Sequence, residues 1–134
     1  MGRMDSGIAK QIKEKWPIVY KKYSDAIAAD HPANILGNIQ IVGLWKDYYA
    51  TDFHQSVINM FAQHYYGYDD KRYTSYDAFW NCLSQIKNFI PVGSKIGFPD
   101  HIGCVLGVTN CEVILTMIKE VLNDYEVYIY KLEV

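Results

Sequence analysis

The residue types and spacings best suited to chemistry lie between positions 95 and 120. Gly103 and Gly107 sit in a small-residue loop, 100–109, entered from a short strand, 95–98, and left by a helix that starts at Asn110. Glycine has no Cβ, so the backbone there can reach φ > 0 and come close to a phosphate. Asn110 is a preferred N-cap, and Glu112 in the first turn suits the positive end of a helix. Strand, glycine loop and helix in that order present backbone N–H groups to an anion, and 103–108 is the segment that would do so. The same stretch also fits an ordinary βα connection, since it is neither GxGxxG nor a Walker loop.

Other groups have a chemical reading beside a plain one. Asp5 suits a general base, or a solvated loop carboxylate. His101 and Cys104 suit an acid/base or nucleophile pair, or a loop imidazole and a buried thiol. His101, Cys104 and Cys111 lack the regular spacing of a zinc site, so no metal is expected. His31, His54 and His64 show no i, i+4 ligand pairing, and Asp69-Asp70 reads as a turn pair. The aromatic segment 65–76 suits either a lid over a base or the surface packing of a long connection. Asn59 and Gln63 suit a pocket wall, or strand-end amides satisfied by backbone.

The elements that must hold these groups follow from periodicity. Residues 7–16 read as a helix with Ile8, Ile12 and Trp16 inward, capped by Ser6 and stapled by Met4. Pro17 interrupts, and a second helix, 18–29, places Val19, Tyr20, Tyr23 and Ile27 inward until His31-Pro32 ends it. Strands are expected at 38–44 and at 56–62, the latter apolar enough to be buried on both faces. Residues 45–54 read as a turn and 64–74 as a loop. A helix over 75–89, capped by Ser75, buries Phe79, Cys82, Leu83 and Ile86. A helix over 110–122 points Val113, Ile114, Met117, Ile118 and Val121 inward, and 126–132 is the last strand. Helices alternating with strands predict a layered α/β fold with at least partly parallel strands.

Composition narrows the classes. The 134 residues suit one domain, 1–134, with half of the residues apolar and a net charge of −2. No basic stripe points to nucleic acid, and no apolar run approaches the roughly 18 residues of a membrane span. Cys82, Cys104 and Cys111 are odd in number and lack CxxC spacing, so they read as reduced thiols of a cytoplasmic protein.

Several of these segments, taken in order, resemble one family. Met4-Asp5-Ser6-Gly7-Ile8-Ala9, followed by Lys10-Gln11-Ile12-Lys13, resembles the M-G-[AS]-G-I-A loop and helix start of macro domains. Ile102-Gly103-Cys104-Val105-Leu106 resembles their I-G-C-G-L loop. Val127-Tyr128-Ile129-Tyr130-Lys131-Leu132 looks like their closing strand, and Val57-Ile58-Asn59-Met60-Phe61-Ala62-Gln63 like a strand of the small single-domain branch. That branch includes ADP-ribose-1″-phosphate phosphatases and terminal ADP-ribose glycohydrolases.

The resemblance implies a three-layer fold, a mixed sheet flanked by helices, and an ADP-ribose-like ligand without a further cofactor. It places the loop of Met4, Ser6, Gly7 and Ile8 against the distal ribose. It wraps the diphosphate with Ile102, Gly103, Cys104, Val105, Leu106, Gly107 and Val108, and stacks Tyr130 near the adenine. The chain also departs from the family. Two strands that precede the M-G-[AS]-G loop are missing, one of them central, so the fold is expected to be N-terminally shortened, with a rearranged sheet or a homodimer. Asp5 and Val105 stand where the family has Gly, and Asn110-Cys111 where it has Asp-Trp. The glycohydrolase Lys and Asp fall at Met60 and Gly107, which cannot do that chemistry.

The expected function is therefore the binding of ADP-ribose or a related NAD-derived nucleotide. Such a module would read ADP-ribosylated protein, or sequester a nucleotide signal as a phage anti-defence sponge would. The alternatives are a phosphatase or mono-ADP-ribosyl hydrolase using Asp5 or His101, and a remnant kept as an interaction or oligomerisation domain.

Overall fold

Helix α1 (Gly7–Lys15) ends where Trp16 leaves helical geometry, with φ −132° and ψ 80°. Pro17 then opens α2 (Pro17–Ala29), its fixed φ and missing N–H suiting the first helical position. The computed structural model of the chain describes residues 7–44, 55–65, 72–100, 102 and 110–131. Met4 and Ser6, expected to staple and cap α1, lie outside the described residues. Lys13 and Lys15 occupy the last turn of α1, where cations offset the negative helix end. Their ammonium groups lie 4.0 Å from the Tyr20 ring centroid and 4.7 Å from that of Trp16.

The chain forms two compact units, the first made of Met1–Ile35 and Ile39–Met60. After α2 a short helix, α3 (Pro32–Ile35), begins at the proline expected only to end a helix. Asp30 accepts from the His31 N–H at 2.7 Å and from Asn34 Nδ2 at 2.8 Å, which ties that turn together. These donors, Asn34 first, hold the Asp30 carboxyl below its usual range. Strands β1 (Ile39–Leu44) and β2 (Gln55–Met60) pair antiparallel, with Val42 opposite Val57. Val19 and Val42 are buried; Ile8, expected inward, is 38% exposed. β2 is half-buried rather than enclosed on both faces, as befits an antiparallel pair. Asn59 Nδ2 donates to Gln40 Oε1 at 3.0 Å, and Gln40 Nε2 donates to the Lys22 carbonyl at 2.8 Å, so Asn59 serves a strand–helix link.

The second unit is Leu36–Asn38 with Phe61–Val134. Its hairpin, β3 (Gln63–Tyr65) and β4 (Arg72–Thr74), replaces the loop expected over 64–74. Ser75 caps α4 (Tyr76–Phe89) by accepting from the Ala78 N–H at 3.2 Å. Phe79, Cys82, Leu83 and Ile86 are buried, as the period of that helix requires. Gln85 Nε2 donates to the Gly37 carbonyl at 3.2 Å and to Asn38 Oδ1 at 2.9 Å, which fixes the 36–38 segment to α4.

Strand β5 (Lys95–Pro99), helix α5 (Cys111–Val121) and strand β6 (Glu126–Tyr130) form a βαβ unit whose strands pair in parallel. Ile114, Met117, Ile118 and Val121 of α5 are buried with Phe98 of β5. Val113, expected inward, is 39% exposed, because the buried stripe follows i, i+3, i+4, i+7 from Ile114. Tyr125 is buried, and its hydroxyl lies 2.6 Å from the Ile90 carbonyl and 3.2 Å from that of Lys87, satisfying the end of α4. The described strands thus pair two by two, in three separate sheets, rather than in one continuous family-order sheet.

Candidate ligand site at the carboxyl end of the β5–β6 pair

Parallel strands that feed a helix place their carboxyl ends where α/β folds bind ligands. Here those ends are Pro99 and Tyr130, which stand in register. The Asp100 N–H donates to the Tyr130 carbonyl at 2.7 Å, and the Ile102 N–H to the Pro99 carbonyl at 3.2 Å, so the chain turns immediately beyond β5. It returns at Asn110, whose Oδ1 accepts from the Glu112 N–H at 2.8 Å and caps α5. The Asn110 N–H donates to the Tyr76 hydroxyl at 3.0 Å. Tyr76, at the start of α4, thereby fixes the point at which α5 begins. The positive end of α5 and the carboxyl ends of the two strands belong to one βαβ unit.

One face of the β5–β6 pair is aromatic and open. Gly97, Pro99, Tyr128 and Tyr130 share it by strand alternation. Tyr130 is 61% exposed, yet the edge of its ring abuts Gly97: a Cβ at position 97 would be 2.6 Å from Tyr130 Cε2 and 3.2 Å from Cδ2. Tyr128 stacks beside it, with ring centroids 6.2 Å apart and planes 26° from parallel. The Tyr128 hydroxyl donates to Glu126 Oε1, which raises the Tyr128 pKa by holding the proton against a carboxylate.

Of the residues singled out in the sequence, Ile102 and Tyr130 lie at this end of the second unit. Gly7 and Ile8 open α1 in the first unit. Met4, Asp5, Ser6, His101 and the loop Gly103, Cys104, Val105, Leu106, Gly107 and Val108 lie outside the described residues. Tyr76 ends the aromatic segment 65–76 and here serves the start of α5, while Gly97 carries no sequence motif. A glycine in the middle of a strand, Lys95-Ile96-Gly97-Phe98, was the available signal, because it marks a close approach. The expectation of three reduced thiols holds for Cys82, which is free and buried, and fails for Cys111, which is in a disulfide. Cys111 is the half-buried first residue of α5. Burial instead pushes the Cys82 thiol up to about 12. Among the described residues, no group of three His, Cys, Asp or Glu side chains could hold a metal ion. Among the same residues, no helix is long and apolar enough to cross a membrane.

No family model and no curated protein sequence matches the chain. Its structure is similar to the macrodomain of Thermus aquaticus DarG, with a TM-score of 0.68 over 96% of this chain and 82% of that one, at 19% identity. The resemblance carried by the sequence motifs is therefore met by the structure, and the fold of this chain is that of a macrodomain.

Proposed function

We propose that this chain binds ADP-ribose or a related NAD-derived nucleotide at the carboxyl end of the β5–β6 pair. The observation that carries the reading is Tyr130. In a macrodomain fold, an exposed tyrosine ring stands at the end of a parallel strand pair, beside the turn that leads to α5. Its exposed ring offers a stacking surface for a nucleobase. The diphosphate is assigned to the 102–108 loop and the positive end of α5, with Asn110 closing the turn. Binding without turnover follows from Met60 and Gly107 at the positions of the family's catalytic Lys and Asp. A cytoplasmic reader of ADP-ribosylated protein and a sequestering sponge for a free nucleotide both fit this chemistry.

The test is a titration of the purified chain with ADP-ribose, followed by analysis of the recovered ligand. Ligand at about 100 times its dissociation constant stabilises by about 2.7 kcal/mol, which is a rise of roughly 10 °C in Tm for a domain of this size. Recovery of unchanged ADP-ribose is expected. Release of product would move the assignment to a hydrolase, and the absence of any shift with ADP-ribose, ADP or NAD would overturn nucleotide binding.

A further inference from the structure

We propose that the outer edge of β6 is a homodimer interface, at which two copies of this chain pair their β6 strands antiparallel and join their β5–β6 pairs into one sheet. The proposal stands apart from the nucleotide reading and concerns a surface to which that reading gives no role. Among the described residues, β6 has β5 as its one neighbour. The Glu126 N–H donates to the Ser94 carbonyl at 3.0 Å, and the Tyr130 carbonyl accepts from the Asp100 N–H at 2.7 Å. Residues 126 and 130 therefore direct main-chain groups toward β5, and so does 128 between them. By the alternation of a strand, the N–H and C=O groups of Val127 and Ile129 point to the other side, where no described strand receives them. Both faces of this edge are open: Tyr128 and Tyr130 are exposed on one, and Ile129 is 40% exposed on the other, whereas Phe98 of β5 is buried. Such an edge takes up another strand unless proline, charge or a bulge blunts it. The far edge of β5 carries Pro99, which lacks an N–H. Residues 126–130 hold no proline and no lysine, and their register is unbroken.

The sequence of the strand selects a second copy as the occupant, because Glu126-Val127-Tyr128-Ile129-Tyr130 is complementary to itself when reversed. Full overlap sets Val127 opposite Ile129 of the second copy, and these are the residues whose main-chain groups point outward. Each such pair exchanges both N–H···O bonds. It also matches two β-branched side chains across the strands. Tyr128 meets its own counterpart on the two-fold axis, and Glu126 meets the tyrosine at position 130. A slip of one residue would set outward groups against inward ones and lose the bonds. Charge favours the same arrangement. The two Glu126 carboxylates fall at opposite ends, about 13 Å apart along the strand and beyond a Debye length of about 8 Å. Each stands beside Lys95 of its own copy in the ladder. The pairing uses the backbone of the edge, so the aromatic face of both copies stays open to ligand.

The experiment is sedimentation equilibrium of the ligand-free chain from micromolar to millimolar concentration, with two kinds of variant. The wild-type mass should rise with concentration from 15.5 kDa toward twice that value. Ile129→Pro removes an outward N–H and leaves the ladder to β5 untouched, so it should raise the dimer dissociation constant by roughly tenfold or more. Its far-ultraviolet circular dichroism and melting curve report whether it is folded. The second kind reads the register and needs no loss of folding to interpret. Under mild oxidation, Tyr128→Cys should give a covalent dimer joined through position 128, because a non-hydrogen-bonded pair on the axis brings the two Cα atoms to about 4.5 Å. Val127→Cys should not, since two copies of that position lie on a diagonal of about 7–8 Å. Peptide mass spectrometry locates the bond. A wild-type mass that stays at 15.5 kDa at every concentration would overturn the proposal and give the edge to some other occupant. A dimer that folded Ile129→Pro leaves intact, or one that cross-links through 127 and not through 128, would overturn it as well. None of these results bears on ADP-ribose binding, which is titrated separately.

Discussion

Replacing Asn110 by aspartate should raise stability and lower ligand affinity, a pair of opposite signs that a general structural lesion does not produce. Asn110 caps α5 by accepting from the Glu112 N–H at 2.8 Å. Aspartate offers the same acceptor and adds a negative charge at the positive end of an 11-residue helix. Its effect on folding is a gain of about 0.3–1 kcal/mol. A diphosphate bound at that helix end carries about two charges. At roughly 7 Å and an effective dielectric near 40, each would repel the new carboxylate by about 1.2 kcal/mol before salt screening. At physiological ionic strength the Debye length of about 8 Å cuts this by roughly half. The net cost is about 1–2 kcal/mol, a 5- to 30-fold weaker complex that recovers as salt is added. Calorimetric titration with ADP-ribose at low and high salt reads the affinity, and thermal unfolding reads the stability. Asn110→Ala is the uncharged control: it should lose about 1 kcal/mol of stability with the cap, and its affinity loss should not depend on salt. An Asn110→Asp protein that binds as tightly as wild type at low salt would show that the diphosphate does not lie at α5.

Tyr125→Phe removes a buried hydroxyl that serves the Ile90 and Lys87 carbonyls and should destabilise by about 1–3 kcal/mol without opening a cavity, which urea melts at unchanged m-value would show. Cys82 should make the protein alkali-sensitive. With the folded thiol pushed up to about 12 from an ordinary 9.0, its contribution is complete below pH 9.0 and is lost as the pH climbs toward 12. The slope is at most about 1.4 kcal/mol per pH unit, and Cys82→Ala should flatten the stability curve over that window. A thiol count on the unfolded chain should find fewer than the three cysteines before reduction and all three after it, and three before reduction would contradict the disulfide at Cys111.

The legible parts of the fold are those where local chemistry and packing agree. Ser75 and Asn110 each precede an apolar stripe of helical period, and each caps its helix with a side-chain oxygen. The hairpin of β3 and β4 was hidden because its strands are three residues each, too short for an alternation to register. The Gly67, Asp69 and Asp70 signals that marked a loop fall between those two strands. The proline at 32 reads as a stop from the sequence, yet proline at a first helical position is also a start, and Asp30 supplies the oxygen that steadies the α3 turn. Ile8 and Val113 mark the limit of periodicity. It ranks the positions on a helix by angle, whereas the width of the buried stripe is set by what the helix meets in the fold.

The same distinction separates what the motifs and the geometry say about the site. The order of the motifs resembles that of a family whose ligand is ADP-ribose-like, and the resemblance rests on glycines in a loop. Gly97 has no motif, because its requirement is set by a residue 33 positions later in the chain, Tyr130, which only the parallel register of β5 and β6 brings alongside. A ring whose edge meets Gly97 and whose neighbour is Tyr128 has few directions to turn before a base arrives. That order is inexpensive to maintain, because the ring turns about two side-chain torsions and Gly97 and Tyr128 already limit them. A binding module gains most from such preorganisation. In a module that binds without turnover, as proposed, the binding energy stays in the ground-state complex, and none is needed to distort the ligand toward reaction. A hydrolase built on this end of the sheet would need a group that strengthens its hold as a bond breaks. If ADP-ribose affinity responds to Tyr130 while the ligand is recovered intact, the interactions at this site are those of a receptor.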